Sequence, residues 1–129
     1  GVDGTRIFGE SKNELLVEWK PTGTPERITI RQKGADWKTK EGVAVGVSSS
    51  EIEKFNGKPF LITGFGWDYA GRAISWEGGR LAPELMLEFD DKPVSDEEEK
   101  TVVGEGPYPS NNTVMKKKRL TVRALYVRW

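Results

Sequence analysis

Carboxylates are the residues of this chain whose chemistry first suggests catalysis. Asp68, Glu77 and Glu84 lie in one aromatic-rich stretch, and a glycoside hydrolase needs two carboxyl groups roughly 5–9.5 Å apart across a cleft. A strand predicted between Asp68 and Glu77 spans more than that distance. We therefore expect Asp68 to accept amides of its own turn and Glu77 to pair with Arg80. A hydrolase that uses Asp68 with Glu77 or Glu84 is the alternative.

The missing residue types exclude most catalytic machinery. The chain contains no histidine and no cysteine, so it has no Ser-His-Asp triad, no thiol nucleophile, no thiolate zinc site and no disulfide. The acidic runs Asp90-Asp91 and 96–99 lack the alternating ligands and central glycine of a calcium loop. We accordingly predict no metal and no cofactor, and we expect a protein that is not an enzyme.

Charge and hydropathy limit the partners. Lysine and arginine total 20, as do aspartate and glutamate, so no overall field attracts nucleic acid. No run of about 18 apolar residues is present, and we predict no transmembrane segment. Because the sequence starts at Gly1 without an initiator methionine, we expect an exported, periplasmic or envelope-associated protein that has lost a leader, with or without a lipid anchor. A trimmed sequence is the alternative.

Aromatic residues supply the predicted binding surface. Such rings, crowded among glycines, either form a groove for a sugar or a partner protein or fill a corner of the core. We expect Phe60 and Phe65 in the core, and Trp67 and Tyr69 partly exposed because they flank a turn. The predicted contact surface, for a protein or glycan partner, consists of Trp67, Asp68, Tyr69 and Arg72, with Trp37 as a neighbour.

Alternating apolar residues predict the frame of an antiparallel sheet. Leu15, Val17 and Trp19 share one face of a strand. A turn at 21–25 then leads to a second strand over 26–32, which makes a hairpin. The segment 120–129 is apolar on both sides, and this predicts a long closing strand inside the sheet.

The strongest helix signal lies at 47–57. Ser48 and Glu51 have capping-box spacing, in which the serine hydroxyl accepts from the Glu51 amide and the carboxylate reaches back to the Ser48 amide. Gly57 supplies the left-handed residue that ends a helix. The pattern predicts one short helix near Ser49–Phe55.

Glycines and turn residues predict a three-stranded meander after the helix. Strands over 60–66 and 72–77 flank a turn, and Gly78-Gly79 has the composition of a two-residue hairpin loop. That loop would lead directly into a strand over 85–89.

Opposite charges predict one more hairpin near the C-terminus. If Val103 faces Val114, then Glu99 faces Lys118, and the acidic and basic runs pair across the ladder. Lys100 would then face Lys117, and this like-charged pair counts against the register.

Two patterns resemble exported bacterial proteins. The segment 45–59 reads Val-Gly-Val-Ser-x-x-Glu-Ile followed by Asn-Gly-Lys-Pro. It is similar to an element of the small lipoproteins of the outer-membrane assembly machinery (SmpA/OmlA-like) and of β-lactamase inhibitor proteins. Those families pack a short helical segment on an antiparallel sheet and act by binding protein. The motif NGKPF…GFGWDY…W, from Asn56 to Trp76, is similar to a group of uncharacterised exported bacterial proteins.

Together these patterns predict a single α+β domain over 1–129. It should contain a mainly antiparallel sheet of roughly six to eight strands and one short helix. The predicted function is a non-enzymatic binding or assembly module of the bacterial cell envelope. A carbohydrate-binding protein or glycoside hydrolase, and a structural domain without a specific ligand, are the alternatives.

Overall fold

The computed structural model describes residues 3–7, 9 and 11–128. The strands in this part of the chain are β1 (Asp3–Ile7), β2 (Leu15–Trp19), β3 (Pro25–Ile30), β4 (Leu61–Ile62), β5 (Ala73–Ser75), β6 (Leu85–Phe89), β7 (Tyr108–Pro109) and β8 (Val122–Arg128). The helices are α1 (Ser49–Asn56), α2 (Asp96–Lys100) and α3 (Thr113–Lys118).

The architecture is an α+β fold, as the sequence predicts. One antiparallel sheet has five strands in the order β1-β2-β3-β8-β6, and a second has three in the order β5-β4-β7. The helical part is small, since α1 has 8 residues, α2 has 5 and α3 has 6. Within the described residues, no helix combines the length and the apolar character needed to cross a membrane.

The larger sheet contains the predicted hairpin and the predicted closing strand. Val17 of β2 pairs with Ile28 of β3, and Ile28 pairs with Val127 of β8. On its other side, β8 pairs with β6, where Leu85 lies opposite Val127. The C-terminal strand therefore lies inside the sheet, which explains why both of its faces are rich in apolar residues.

Local capping determines where α1 begins and ends. The Ser48 hydroxyl accepts from the Glu51 amide at 3.2 Å, and Gly57 adopts a left-handed φ of 81° at the other end. The Glu51 carboxylate, which was expected to reach back to Ser48, accepts instead from Lys54 at 3.3 Å. The helix forms one residue longer than predicted, and it packs through the fully buried Ile52.

The core combines one face of the larger sheet with α1 and the smaller sheet. Leu87 of β6, Ile52 of α1 and Ile62 of β4 all have no exposed surface and belong to one buried cluster. Phe60 and Phe65 belong to the same cluster, as the sequence predicts. The opposite face of the larger sheet does not contribute to this core.

The predicted meander is wrong. β5 and β6 lie in different sheets, and the strand expected over 60–66 is shortened to β4. The cause is Asn56, whose buried amide donates to the Trp76 carbonyl at 3.0 Å and accepts from the Leu81 amide at 3.2 Å. Asn56 thus bonds the backbone on both sides of Gly78-Gly79. A tight turn still forms one residue earlier, at Glu77-Gly78, where the Gly79 amide donates to the Trp76 carbonyl at 2.9 Å, but no ladder between β5 and β6 follows it.

The predicted hairpin of acidic and basic runs is also wrong. α2 and α3 replace its strands, with Ser95 and Asn112 as their N-caps. The expected contact between Glu99 and Lys118 nevertheless forms, at 2.8 Å. Lys118 is not solvated, because its side chain has 0% exposed surface and its ammonium group also donates to Asp91 at 2.6 Å.

Candidate binding groove

A groove opens beside β5. Its volume is about 680 Å³, within the range of small-ligand sites. The lining is mostly apolar, and it includes the half-exposed Ile74. The groove is lined by Thr63, Trp67, Tyr69, residues 72–79, Leu81, Pro83, Leu85 and Met86.

The groove forms where β5 and β6 separate. Arg72 and Glu88 make an isolated antiparallel bridge, but the described strands continue no ladder from it. The Trp76 indole instead donates to the Leu85 carbonyl at 3.1 Å, across the gap that backbone pairing would have closed. β5 is therefore an edge strand, and its residues line the groove.

Three of the predicted contact residues meet in the groove lining. The rings of Trp67 and Tyr69 are edge-to-face with centroids 5.5 Å apart, and the Arg72 guanidinium lies 4.9 Å from the centre of the Tyr69 ring. Tyr69 is 56% exposed, as expected beside a turn. Trp67 is more constrained, because its indole donates to the Gly64 carbonyl at 3.0 Å.

The other two predicted contact residues do not join this group. Asp68 is exposed but is not a lining residue. The Trp37 indole donates to the Asn13 carbonyl at 2.6 Å, and the Asn13 amide donates to Asp36 at 3.0 Å. Trp37 thus helps to tie two loops together and is not part of the groove.

The carboxylates of the hydrolase alternative do not converge in the groove. Glu77 is a lining residue, but it accepts from the Ser75 hydroxyl at 2.9 Å and does not pair with Arg80 as predicted. Asp68 and Glu84 are not lining residues. The described side chains also contain no group of acidic residues placed to hold a metal ion. The lining therefore lacks the pair of facing carboxyl groups that glycoside hydrolysis needs.

The burial of one carboxylate beside the groove, Glu88, was not predicted from the sequence. The Glu88 side chain is 6% exposed, and its oxygens lie 3.1 Å from Arg123, 3.5 Å from Arg72 and 3.6 Å from Arg31. The Tyr126 hydroxyl donates to the same carboxylate at 3.3 Å. The one sequence signal is a glutamate alternating with apolar residues in β6, which places it on the face opposite the core.

Glu88 is held in its ionised form. Burial raises the pKa of the Glu88 carboxyl, but the hydrogen bond and charge of Arg123, with the charges of Arg72 and Arg31, outweigh burial and lower it below its ordinary value. Burial and the charge of Glu88 raise the pKa of Tyr126. The cluster therefore contains one anion among several cations, and its net charge is positive.

Arg72 connects this cluster to the groove. It is a lining residue, and its distance to Glu88, 3.5 Å, is long for an ion pair. Its buried Nε has no hydrogen-bond partner. The buried Nε is out of reach of a ligand, but a guanidinium carries five N–H donors and the Arg72 side chain is 30% exposed, so its other donors could bind an anionic group in the groove.

Comparisons with known proteins give no functional assignment. No family model matches the chain, and no curated protein matches it. Among solved structures, the chain is similar to the crystal structure of the uncharacterized protein yfeY from Escherichia coli, with 16% sequence identity and a TM-score of 0.43. That match covers 100% of this chain and 79% of the other, and at this level of similarity it carries no argument about function.

Proposed function

We propose that this protein is a non-enzymatic binding module of the bacterial cell envelope, and that the groove beside β5 takes an apolar part of a partner protein. The observation that carries the proposal is the groove itself, in which apolar side chains and an unpaired strand edge lie together. The envelope location rests on the resemblance to exported bacterial proteins.

The strand edge favours a protein over other occupants. An extended peptide can add to an exposed edge through main-chain hydrogen bonds while its side chains enter neighbouring pockets. In this molecule the edge of β5 and the pocket coincide, because all three residues of β5, Ala73–Ser75, line the pocket. A sugar would need an open ring face, but Arg72 lies over the Tyr69 ring and Trp76 is only 7% exposed.

The charge states of the carboxylates argue against hydrolysis. A glycosidase keeps one carboxyl group protonated through a raised pKa. Glu88, the most buried carboxylate next to the groove, has a lowered pKa because of its arginine partners. Glu77 is exposed and bonded to Ser75. Binding without chemistry is therefore the function that the groove supports best.

Two matched substitutions test the groove. Ile74, inside the groove, and Val103, outside it, are 52% and 53% exposed. We expect Ile74→Asp to weaken capture of partner proteins from an envelope extract at least about tenfold, because a carboxylate is poorly accommodated in an apolar contact. Val103→Asp should leave capture unchanged. Quantitative mass spectrometry of the captured proteins measures both effects, with melting curves to verify folding.

The comparison has two results that would contradict the proposal. If Ile74→Asp folds and captures the same proteins as the unmodified chain, the groove is not the binding site. If Val103→Asp abolishes capture while Ile74→Asp does not, the partner binds another surface. A chain that captures nothing specific would favour a structural domain without a ligand.

A further inference from the structure

We propose that the segment bound in the groove is an acidic, extended peptide, with an apolar side chain in the groove and acidic side chains on the outer face of the larger sheet. This inference rests on the proposed function and adds the charge of the partner. The outer face is the sheet surface opposite the core, and it carries the Glu88 cluster.

The strand register shows which residues share this outer face. Leu16, Thr29, Tyr126 and Met86 pair in succession across β2, β3, β8 and β6, and directly paired residues point to the same side of a sheet. Although Tyr126 is only 4% exposed, it is absent from the core cluster. It is therefore covered on the outer face, where Arg27 lies 5.2 Å from the centre of its ring.

A bulge brings an additional arginine to this face. The ladder pairs Glu88 with Ala124 and then Phe89 with Val122, so Arg123 has no partner residue on β6. An unpaired bulge residue can point to the same side as its neighbour, and the Arg123 guanidinium lies at the Glu88 carboxylate, 3.1 Å away. The bulge thus adds a cation where strict alternation would have placed Arg123 in the core.

On the outer face the cations are more exposed than the anions. The carboxylate side chains are 6% exposed for Glu88 and 18% for Glu18. The arginine side chains paired with them are 58% exposed for Arg31, 48% for Arg123 and 32% for Arg27. A partner that approaches this face meets guanidinium groups first, although the whole chain has a net charge of +0.

The groove and the outer face are continuous. Met86 lines the groove and pairs with Tyr126 on the face. Arg72 also lines the groove, and it reaches Glu88 on the face. A bound segment that leaves the groove past Met86 therefore runs directly over Arg31 and Arg123, whose planar guanidinium groups suit bidentate binding of carboxylates.

A peptide fits this combination better than an anionic membrane surface. A membrane is reached by a set of apolar side chains that protrude from a protein, whereas much of the apolar lining here, including Ala73, Trp76 and Leu85, is buried in a concave groove. The unpaired edge of β5 also offers main-chain groups to which an extended polypeptide can add as a further strand.

Binding of defined probes tests the inference. The probe is a fluorescent peptide of about ten residues, an extended length comparable to the strands of a sheet, in which glutamate alternates with valine and leucine. A second probe carries lysine in place of glutamate, and a third carries serine in place of the apolar residues. Vesicles of phosphatidylglycerol represent an anionic lipid surface. We expect the acidic apolar probe alone to bind, with an affinity that falls as salt is added.

Variants of the protein locate the bound charge. We expect Arg123→Gln and Arg31→Gln each to weaken binding of the acidic probe about threefold to tenfold. Each variant leaves Glu88 two arginine partners, so folding should be preserved. The control is Arg119→Asn, which removes a positive charge outside the outer face. Asparagine tolerates the left-handed backbone of Arg119, where φ is 50°, and binding should not change.

The outcomes separate this inference from the proposed function. If the lysine probe binds as tightly as the acidic probe, and Ile74→Asp weakens both, the groove is the binding site but the acidic partner is wrong. If the acidic probe binds but Ile74→Asp has no effect, both proposals fail. Binding of the vesicles without binding of the peptides would overturn the inference in favour of a lipid surface.

Discussion

Replacing Lys118 with methionine should lower the free energy of unfolding by about 2 kcal/mol, the scale of hydrogen bonds to charged groups, because Lys118 is fully buried whereas Asp91 and Glu99 are 51% and 31% exposed and can be rehydrated. The Lys118 ammonium group donates to Asp91, Glu99 and the Lys92 carbonyl, and it lies 4.6 Å from the centre of the Phe65 ring. Methionine has a similar length but leaves the carboxylates and the carbonyl without this donor. Urea unfolding followed by tryptophan fluorescence measures the change.

The neighbouring lysine provides the control. The Lys117 side chain is 61% exposed and pairs with Glu98 at 2.9 Å, so Lys117→Met should cost less than about 1 kcal/mol. Equal effects of the two substitutions would contradict a structural role for the buried lysine. So would a Lys118→Met variant that is as stable as the unmodified chain.

Gly79→Ala should also lower the free energy of unfolding by about 3 kcal/mol, because overpacking and a lost buried hydrogen bond act together. A Cβ on Gly79 would overlap the amide of Asn56, which is only 1% exposed. Asn56 would have to move away from the Trp76 carbonyl and the Leu81 amide that it bonds. Chemical denaturation again provides the measurement.

Gly78→Ala distinguishes this steric effect from backbone strain. A Cβ on Gly78 would meet nothing within 4 Å, but its φ is 76°. We expect a cost of about 1 kcal/mol, the penalty for an L-residue in a left-handed conformation. A tight hairpin loop at Gly78-Gly79 would instead need a positive φ at both positions and would give similar costs for both substitutions. Similar costs would therefore contradict the packing of Gly79 on Asn56.

Elements with local signals could be predicted from the sequence. The start of α1 depends on Ser48 and Glu51, and its end depends on Gly57, all within one short stretch. The hairpin of β2 and β3 follows from alternation on both sides of a turn rich in proline and glycine. The closing strand β8 could be placed inside the sheet because its sequence is apolar on both faces, and a strand that is buried on both faces needs such a sequence.

Elements that depend on distant contacts could not be predicted. Gly78-Gly79 has the composition of a hairpin loop, but the side chain of Asn56, more than twenty residues earlier, determines its path. By contrast, the acidic run at 96–99 carries a local helix signal that the predicted hairpin did not use, because Ser95 and Glu98 form a capping box at the start of α2. The contact of Glu99 with Lys118 was right because opposite charges attract in either arrangement.

In the candidate site, too, residues close together in sequence could be predicted, and residues brought together by distant contacts could not. Trp67, Tyr69 and Arg72 lie close together in sequence, and they meet in the groove. Trp37 was included for its residue type alone, and it bonds Asn13 elsewhere. The residues around Glu88 come from separate segments and are brought together by strand register. No local pattern contains that information.

Hydrogen exchange of backbone amides in the presence of the acidic apolar probe tests the central claim most directly. If a peptide segment occupies the groove and pairs with the edge of β5, slowed exchange should be concentrated at residues 72–79 and at 85–86. The loop at 101–107, which contains the exposed Val103, should exchange at the same rate with and without the probe. Protection confined to that loop, or no protection beside β5 when the probe is fully bound, would contradict the claim.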